Sequence, residues 1–253
     1  MLLALPLAAL ACVQPALADQ RADFLAGITV DCPGCDLAGV MLKRSVLDGA
    51  DLSGASLVGA NLHDASLAGA NLRGADLTEA NLNKAVLRQA DLSGATLRGA
   101  LLFAADLSGA IAVEADFEGA RMGESTWTRA DLAGASMIGT NLRNARMGRA
   151  SLVGVDFRGS ILEGVHLALA DLSGANLSRT LMVAAQLRGA ILRAALVQGS
   201  DLYGADLHDA DLTGADFRGS RLTTAILTNA TLDGARFEEA IMPDGRPWTA
   251  GGG

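Results

Sequence analysis

The sequence predicts an all-β solenoid whose coils are squares, each built from four five-residue sides. Three observations predict it. An apolar residue recurs at every fifth position, as in DLSGA, SLVGA, NLHDA and SLAGA over residues 51–70. A small residue, usually Ala, stands two places before it. Only 4% of the chain is aromatic although half of it is apolar, so Leu and Ala must fill the core that large rings usually dominate.

The period fixes the architecture. Five matches neither the 3.6 of a helix nor the 2 of a flat strand, and it excludes a heptad coiled coil. Two inward positions per five, one large and one small, require a corner every five residues. The Gly, Ser, Asp and Asn between the large positions suit such corners. Four sides close a coil of about 20 residues, and coils stack at ~4.8 Å like parallel strands. The register runs without a slip from Val30 to Asp244, which is 43 fives. The large position is Leu or Phe in 34 of them, and exceptions such as Met122, Trp127, Met137, Met182 and Val197 stay apolar, Ala112 being the one small exception in the body.

Residues 1–18, MLLALPLAALACVQPALA, are uncharged and end in a small-x-small pattern, Ala16-Leu17-Ala18. They read as an export signal cleaved between Ala18 and Asp19. The apolar run is too short for a membrane span, which needs ~20 residues, and no second run follows. The early segment lacks Lys and Arg, and Cys12 leaves lipoprotein processing as an alternative. Removal of 1–18 makes the expected location periplasmic or extracellular, and a bacterial lumenal compartment also fits.

Residues 19–29 read as an N-terminal cap, with Asp19 starting a short helix and Phe24, Leu25 and Ile28 turned onto the first coil. At the other end Pro243, Asp244 and Pro247 break the pattern, Trp248 is placed to fold over the last coil, and the tail is 245–253, its final glycines disordered.

Repeats of the form A(D/N)LXX over about 85% of the chain resemble the pentapeptide-repeat family. That resemblance implies a right-handed quadrilateral β-helix, here of about 10–11 coils and roughly 52 Å long. Some members of the family resemble B-form DNA and inhibit or protect DNA gyrase.

Asp and neutral residues alternate along two sides, Asp51, Asn71, Asp91, Ile111, Asp131 on one and Asp36, Ser56, Asp76, Thr96, Asp116 on the other. Alternation separates like charges by about a Debye length, which reads as charge spacing. An acidic ladder for a cation or a basic partner is the functional alternative.

Cys32-Pro33-Gly34-Cys35 is the one motif with potential chemistry. Both cysteines fall on inward positions, and a type II turn at Pro-Gly brings their Cα atoms within reach of a disulfide. Buried free thiols and a redox or metal role remain the alternatives. Zinc lacks further ligands, so no metal site is expected. His63, His166 and His208 do not converge with Ser and Asp, so no catalytic residue and no cofactor is expected. On the side containing Leu42, the outward apolar residues Ile161, Leu181, Val183 and Tyr203 fall on successive coils and form a candidate interaction patch, set against the commoner reading of scattered surface hydrophobes.

The functional expectation is a non-enzymatic exported scaffold for a protein partner of unknown identity. Net charge −8 disfavours binding nucleic acid through its phosphates. Mimicry of DNA toward gyrase is the first alternative and a redox-active CxxC protein the second.

Overall fold

The computed structural model describes residues 16–249, with side chains from Gln20 onward. Residues 1–15 of the expected export signal, with Cys12 of the lipoprotein alternative, and the glycines after Ala250 lie outside the described residues. The chain forms a β-solenoid. Parallel bridges link each residue just before a large position to the residue 20 further on, from Asp36↔Ser56 to Arg221↔Ile241. Each coil therefore has four sides. Side one carries the bridges at Met41, Asn61 and Asn81, side two those at Val46, Ser66 and Val86, side three those at Asp51, Asn71 and Asp91, and side four those at Asp36, Ser56 and Asp76.

Backbone polarity explains the five-residue unit. In the side that begins at Asp51, Asp51 N–H donates to the Asp31 carboxylate, whereas at regular sides the same amide reaches back, as Asn71 N–H does to Ala50 O. Leu52 and Gly54 donate forward to Asn71 O and Arg73 O, and Ala55 closes the turn on Leu52 O. Four of the five amides are thus satisfied by backbone at a regular side. The fifth, at the residue after the large position, has no backbone acceptor. Where the bridge residue is Asp or Asn its side chain supplies one: Ser53 N–H donates to Asp51 Oδ1 and Thr78 N–H to Asp76 Oδ1. All eighteen Asp and Asn residues at bridge positions from Asp36 to Asp216 accept this bond. The charge-spacing account of these residues is therefore incomplete. Their first role is local, as acceptors for an otherwise orphaned amide.

Every turn from Gly34 to Glu239 places its second central residue at φ between +53° and +70°. This is the type II geometry that favours glycine. Glycine fills 23 of these 42 positions and the other 19 are not glycine. Asp64, Asn144, Asp209 and Asn229 tolerate the left-handed region, whereas the β-branched Thr224, at φ +59°, is a clear outlier.

The bore is dry and filled. The Leu positions and their Ala partners are buried from Ala50 to Leu222. Around Ala112 the chain compensates for volume. Phe117 and Trp127 lie ten residues apart, hence on opposite sides of the bore, and meet edge to face with centroids 5.3 Å apart. Trp127 Nε1 donates to Ser125 Oγ at 2.8 Å, so the indole enters the bore without losing its hydrogen bond. One corner departs from Ala: Thr140, Ser160, Thr180, Ser200 and Ser220 are buried on five successive coils. All five hydroxyls donate to turn carbonyls, as Ser200 Oγ does to Leu177 O, and the three serines also accept an amide of the preceding coil, as Ser200 does from Thr180 N–H.

The ends correct two expectations. The cap helix, α1, spans Ala16–Leu25, so its backbone begins before Asp19 and runs across the expected cleavage bond. Asp19 does not start it. Only Phe24 turns onto the first coil; Leu25 and Ile28 are exposed, the latter by 74%. The reason is length: one short helix covers the bore with a single ring, and the chain leaves it through Gly27 at φ +72° toward the rim. At the other end the chain reverses through a turn at Gly245, Ile241 pairs antiparallel with Pro247, and Trp248 packs on the core as expected. The reversal leaves the amides of Leu227, Asn229, Leu232 and Gly234 without a backbone acceptor among the described residues.

Two stability predictions follow from these contacts. Ala135→Leu should destabilise by at least ~1–3 kcal/mol in a denaturant titration, because the bore has no room for the added volume. Arg158→Ala, which removes only an exposed partner of Asp156, should stay within about 0.5 kcal/mol. Equal effects would invalidate the inward and outward assignment. At the strained corner, Thr224→Gly should stabilise by roughly 0.5–1 kcal/mol, since relief of a left-handed β-branched residue exceeds glycine's entropy cost. A lower melting temperature for that variant would contradict the strain.

Candidate functional site

The CxxC motif sits in the first coil. Pro33-Gly34 forms the expected turn, with Cys35 N–H donating to Cys32 O at 3.2 Å and Gly34 at φ +67°. The Cα atoms are 5.4 Å apart and the sulphurs lie at bonding distance. Both side chains are buried, so among the described residues no cysteine sulphur faces solvent for exchange chemistry.

The three histidines are separated as the register requires. His63 is on side one, whereas His166 and His208 are on side two. Nδ1 of His63 is buried without a hydrogen-bond partner, unlike any other buried side-chain nitrogen or oxygen among the described residues. Nε2 of His208 lies 3.1 Å from Asp209. Among the described residues no three His, Cys, Asp or Glu side chains come together as a metal cage.

The apolar patch is brought together. Ile161 bridges to Leu181 and Leu181 to Asp201 on side one. Leu181 and Tyr203 are exposed, by 47% and 43%, while Ile161 and Val183 are half-buried. Arg221 partly covers Tyr203, its guanidinium 5.1 Å from the ring centroid, and also pairs with Asp201. On the same side, Phe103 lies against Gly123 in a shallow groove of about 400 Å³, rimmed by Arg121 and Arg143.

A more exposed apolar cluster lies at the N-terminal rim, where Ile28, Met41 and Val46 are each at least 70% exposed. Sequence reasoning missed it. The available signal was an apolar residue at bridge positions 41 and 46, where polar residues are common.

The acidic residues are neutralised in part. Arginine at the turn of one coil reaches the Asp of the next: Arg73 to Asp91, Arg88 to Asp106, Arg98 to Asp116 and Arg193 to Asp211. Burial pushes the Asp91 and Asp106 carboxyls up, but hydrogen bonds from the following serine and from arginine outweigh it and hold both below their ordinary value. Asp216 is the extreme. The hydrogen bond from Arg218 outweighs burial and, joined by Gln198, lowers its carboxyl to about 2.

This geometry accounts for the comparisons with known proteins. The family model described as pentapeptide repeats matches in eight copies, covering residues 30–59 and 70–242. The chain belongs to the pentapeptide-repeat family. Among solved structures it is similar to HetL of the cyanobacterium Nostoc sp. strain PCC 7120, a pentapeptide-repeat protein involved in heterocyst differentiation regulation. Identity is 34% over 90% of this chain and 98% of HetL, with a TM-score of 0.31. It is also similar to QnrB1, a plasmid-mediated fluoroquinolone resistance protein, at 22% identity over 67% of this chain and 84% of that one, TM-score 0.38. A thylakoid-lumen pentapeptide-repeat protein of Arabidopsis thaliana matches at 27% identity over 38% of this chain and 60% of its own, TM-score 0.28. No curated protein matches the chain at a significant level.

The depressed carboxyls set a pH dependence. A folded-state value below the unfolded one adds stability that is present above the unfolded value and lost as pH falls through the folded value. For Asp216 that window runs from its ordinary 3.8 down to about 2. Melting temperatures should therefore drop between pH 4 and pH 2, and Asp216→Asn should make that drop shallower. A variant with an unchanged acid slope would remove Asp216 from this role.

Proposed function

We propose that the protein is an exported, non-enzymatic scaffold, a right-handed quadrilateral β-helix of ten to eleven coils that presents rigid faces to a protein partner. The observation that carries this reading is the unbroken hydrogen-bonded ladder, which fixes outward side chains on four flat sides at a constant spacing. A solenoid of this kind gives an extended surface without a cleft of its own. Export draws on two further features. The uncharged apolar run of 1–18 ends in a small-x-small pattern, and the paired geometry of Cys32 and Cys35 suits an oxidising compartment.

DNA mimicry has the acidic columns in its favour. Against it, five of the ten aspartates in those columns are paired with arginine, which weakens the field they present. The likeness to QnrB1 concerns the fold alone.

Intact-mass analysis of the protein from its native host tests the proposal. A chain that begins at Asp19, lacks two hydrogens at Cys32 and Cys35 and resists alkylation before reduction supports export. Recovery of the uncleaved chain from the cytoplasm, with both thiols alkylated, would overturn it and restore the gyrase reading.

A further inference from the structure

Side two departs from the rest of the surface. From Thr126 to Gly189 its outward positions contain no Asp or Glu. They contain Arg129, Arg146 and Arg149, all exposed, and none of the three has a side-chain hydrogen bond or an ion pair among the described residues. Elsewhere most arginines pair with a carboxylate of the same or a neighbouring coil, as at Arg73–Asp91 and Arg193–Asp211, while Arg121 and Arg179 stand unpaired singly among the described residues. Arg129 and Arg149 are 20 residues apart and so stack in adjacent coils, about 4.8 Å from each other along the axis. Like charges so placed repel.

The same two residues carry a backbone penalty. Arg129 has φ +61° and Arg149 φ +59°, and the next residue in that corner, Leu169, has φ +60° and is 53% exposed. Three successive coils thus use a charged or large apolar residue where glycine fits without strain. The strain alone is not distinctive, since 19 of the 42 corners lack glycine, but here it coincides with like-charge repulsion, and the arginine side chains gain no hydrogen bond or ion pair among the described residues in return. Strain of this kind concentrates at functional sites.

We infer that this corner is a docking surface for an acidic segment of a partner protein, with Arg129, Arg146 and Arg149 taking carboxylates and Leu169 an apolar side chain. The inference rests on the scaffold reading and deepens it. Guanidinium groups suit carboxylates through paired hydrogen bonds. The surface is short along the axis, on the order of 10–15 Å from Arg129 to Leu169. Side three, adjacent to it, is acidic at Asp131 and Asp171. A nucleic-acid duplex or an anionic membrane would meet those flanks, whereas a narrow peptide would not. Leu169 offers nothing to a phosphate backbone but gives a peptide an anchor.

Fluorescence anisotropy of the full chain with a labelled peptide of alternating glutamate and leucine tests the site. Binding that weakens with salt, and at least tenfold in the double variant R129G/R149G, is expected. Because glycine relieves the strained corners, that variant should melt at a higher temperature than the parent, so lost binding cannot be ascribed to misfolding. Arg193→Ala should bind as the parent does. No peptide binding, equal binding by R129G/R149G, or preference for a 12-base-pair duplex or for phosphatidylserine vesicles would each overturn the inference. So would a salt-sensitive self-association of the chain abolished by R129G/R149G, which would assign the corner to a second copy. Photo-crosslinking in the native compartment separates the two levels. Partner adducts from position 203 but none from position 168 would sink the acidic-segment site and leave the scaffold standing.

Discussion

Amide satisfaction at a fixed five-residue spacing is the constraint on which the rest of this structure depends. A side so short has no room for a second strand layer, so its peptide groups can be satisfied only up and down the stack, in the turn, or by a side chain. At a regular side three go to neighbouring coils and one closes the turn. The remaining amide explains why Asp and Asn recur beside the large apolar residue, since their side-chain oxygen reaches two residues ahead where Leu or Ile cannot. The same geometry dictates Ala at the small position, because its side chain points into the bore at a corner where the next side begins.

That constraint changes what the charge of the chain means. A carboxylate fixed at a bridge position by its local bond is architectural before it is electrostatic. Asp91 and Asp106 then attract an arginine from the preceding coil, and the pair presents little net field. The gross count of 28 Asp and Glu therefore overstates the acidity a partner meets where such pairs occur. By the same logic an arginine without a carboxylate stands out. Surface pairs of this kind contribute little to stability individually, so the stack does not require them. What they do is set which parts of the surface are neutral, and side two between Thr126 and Gly189 is not.

The register was fully legible because one substitution out of phase would put a charge in a dry bore. Cys32 to Leu222 holds that phase, and the inward placement of Cys32, Trp127 and Met137 follows from it, whereas Val30 and Leu232, at the two open ends, are exposed. The side-one patch was legible for the same reason, since residues 20 apart must stack. Three features were not. The bond that Asp and Asn accept from the amide two residues ahead depends on where that amide points, and periodicity carries no such information. The left-handed corners at Arg129, Leu169 and Thr224 look like ordinary polar or apolar choices until φ is known. The cap was misjudged at Leu25 and Ile28 because a lone helix has no period against which to test its inward face, and a lid of one turn or two is decided by where it crosses the bore.

A repeat this regular also tells where to look for function. Stability in a solenoid is a sum of similar coil and interface terms, so any single coil can absorb a locally unfavourable residue without losing the fold. Residues that obey the rule carry architectural information only. Those that break it at a cost, with no neighbour to offset it, record a demand from outside the stack. Trp127 breaks the Leu rule but is offset by Ala112 and Ser125, and Thr140 to Ser220 break the Ala rule but satisfy one another through hydroxyl bonds. Lys84 and Arg179 break the glycine preference and the charge pairing singly, each on a side that also carries carboxylates. Arg129 and Arg149 break both on adjacent coils, with Arg146 beside them and no carboxylate on that side from Thr126 to Gly189. That clustering, rather than any cleft or motif, separates their corner from the other surfaces of the rod.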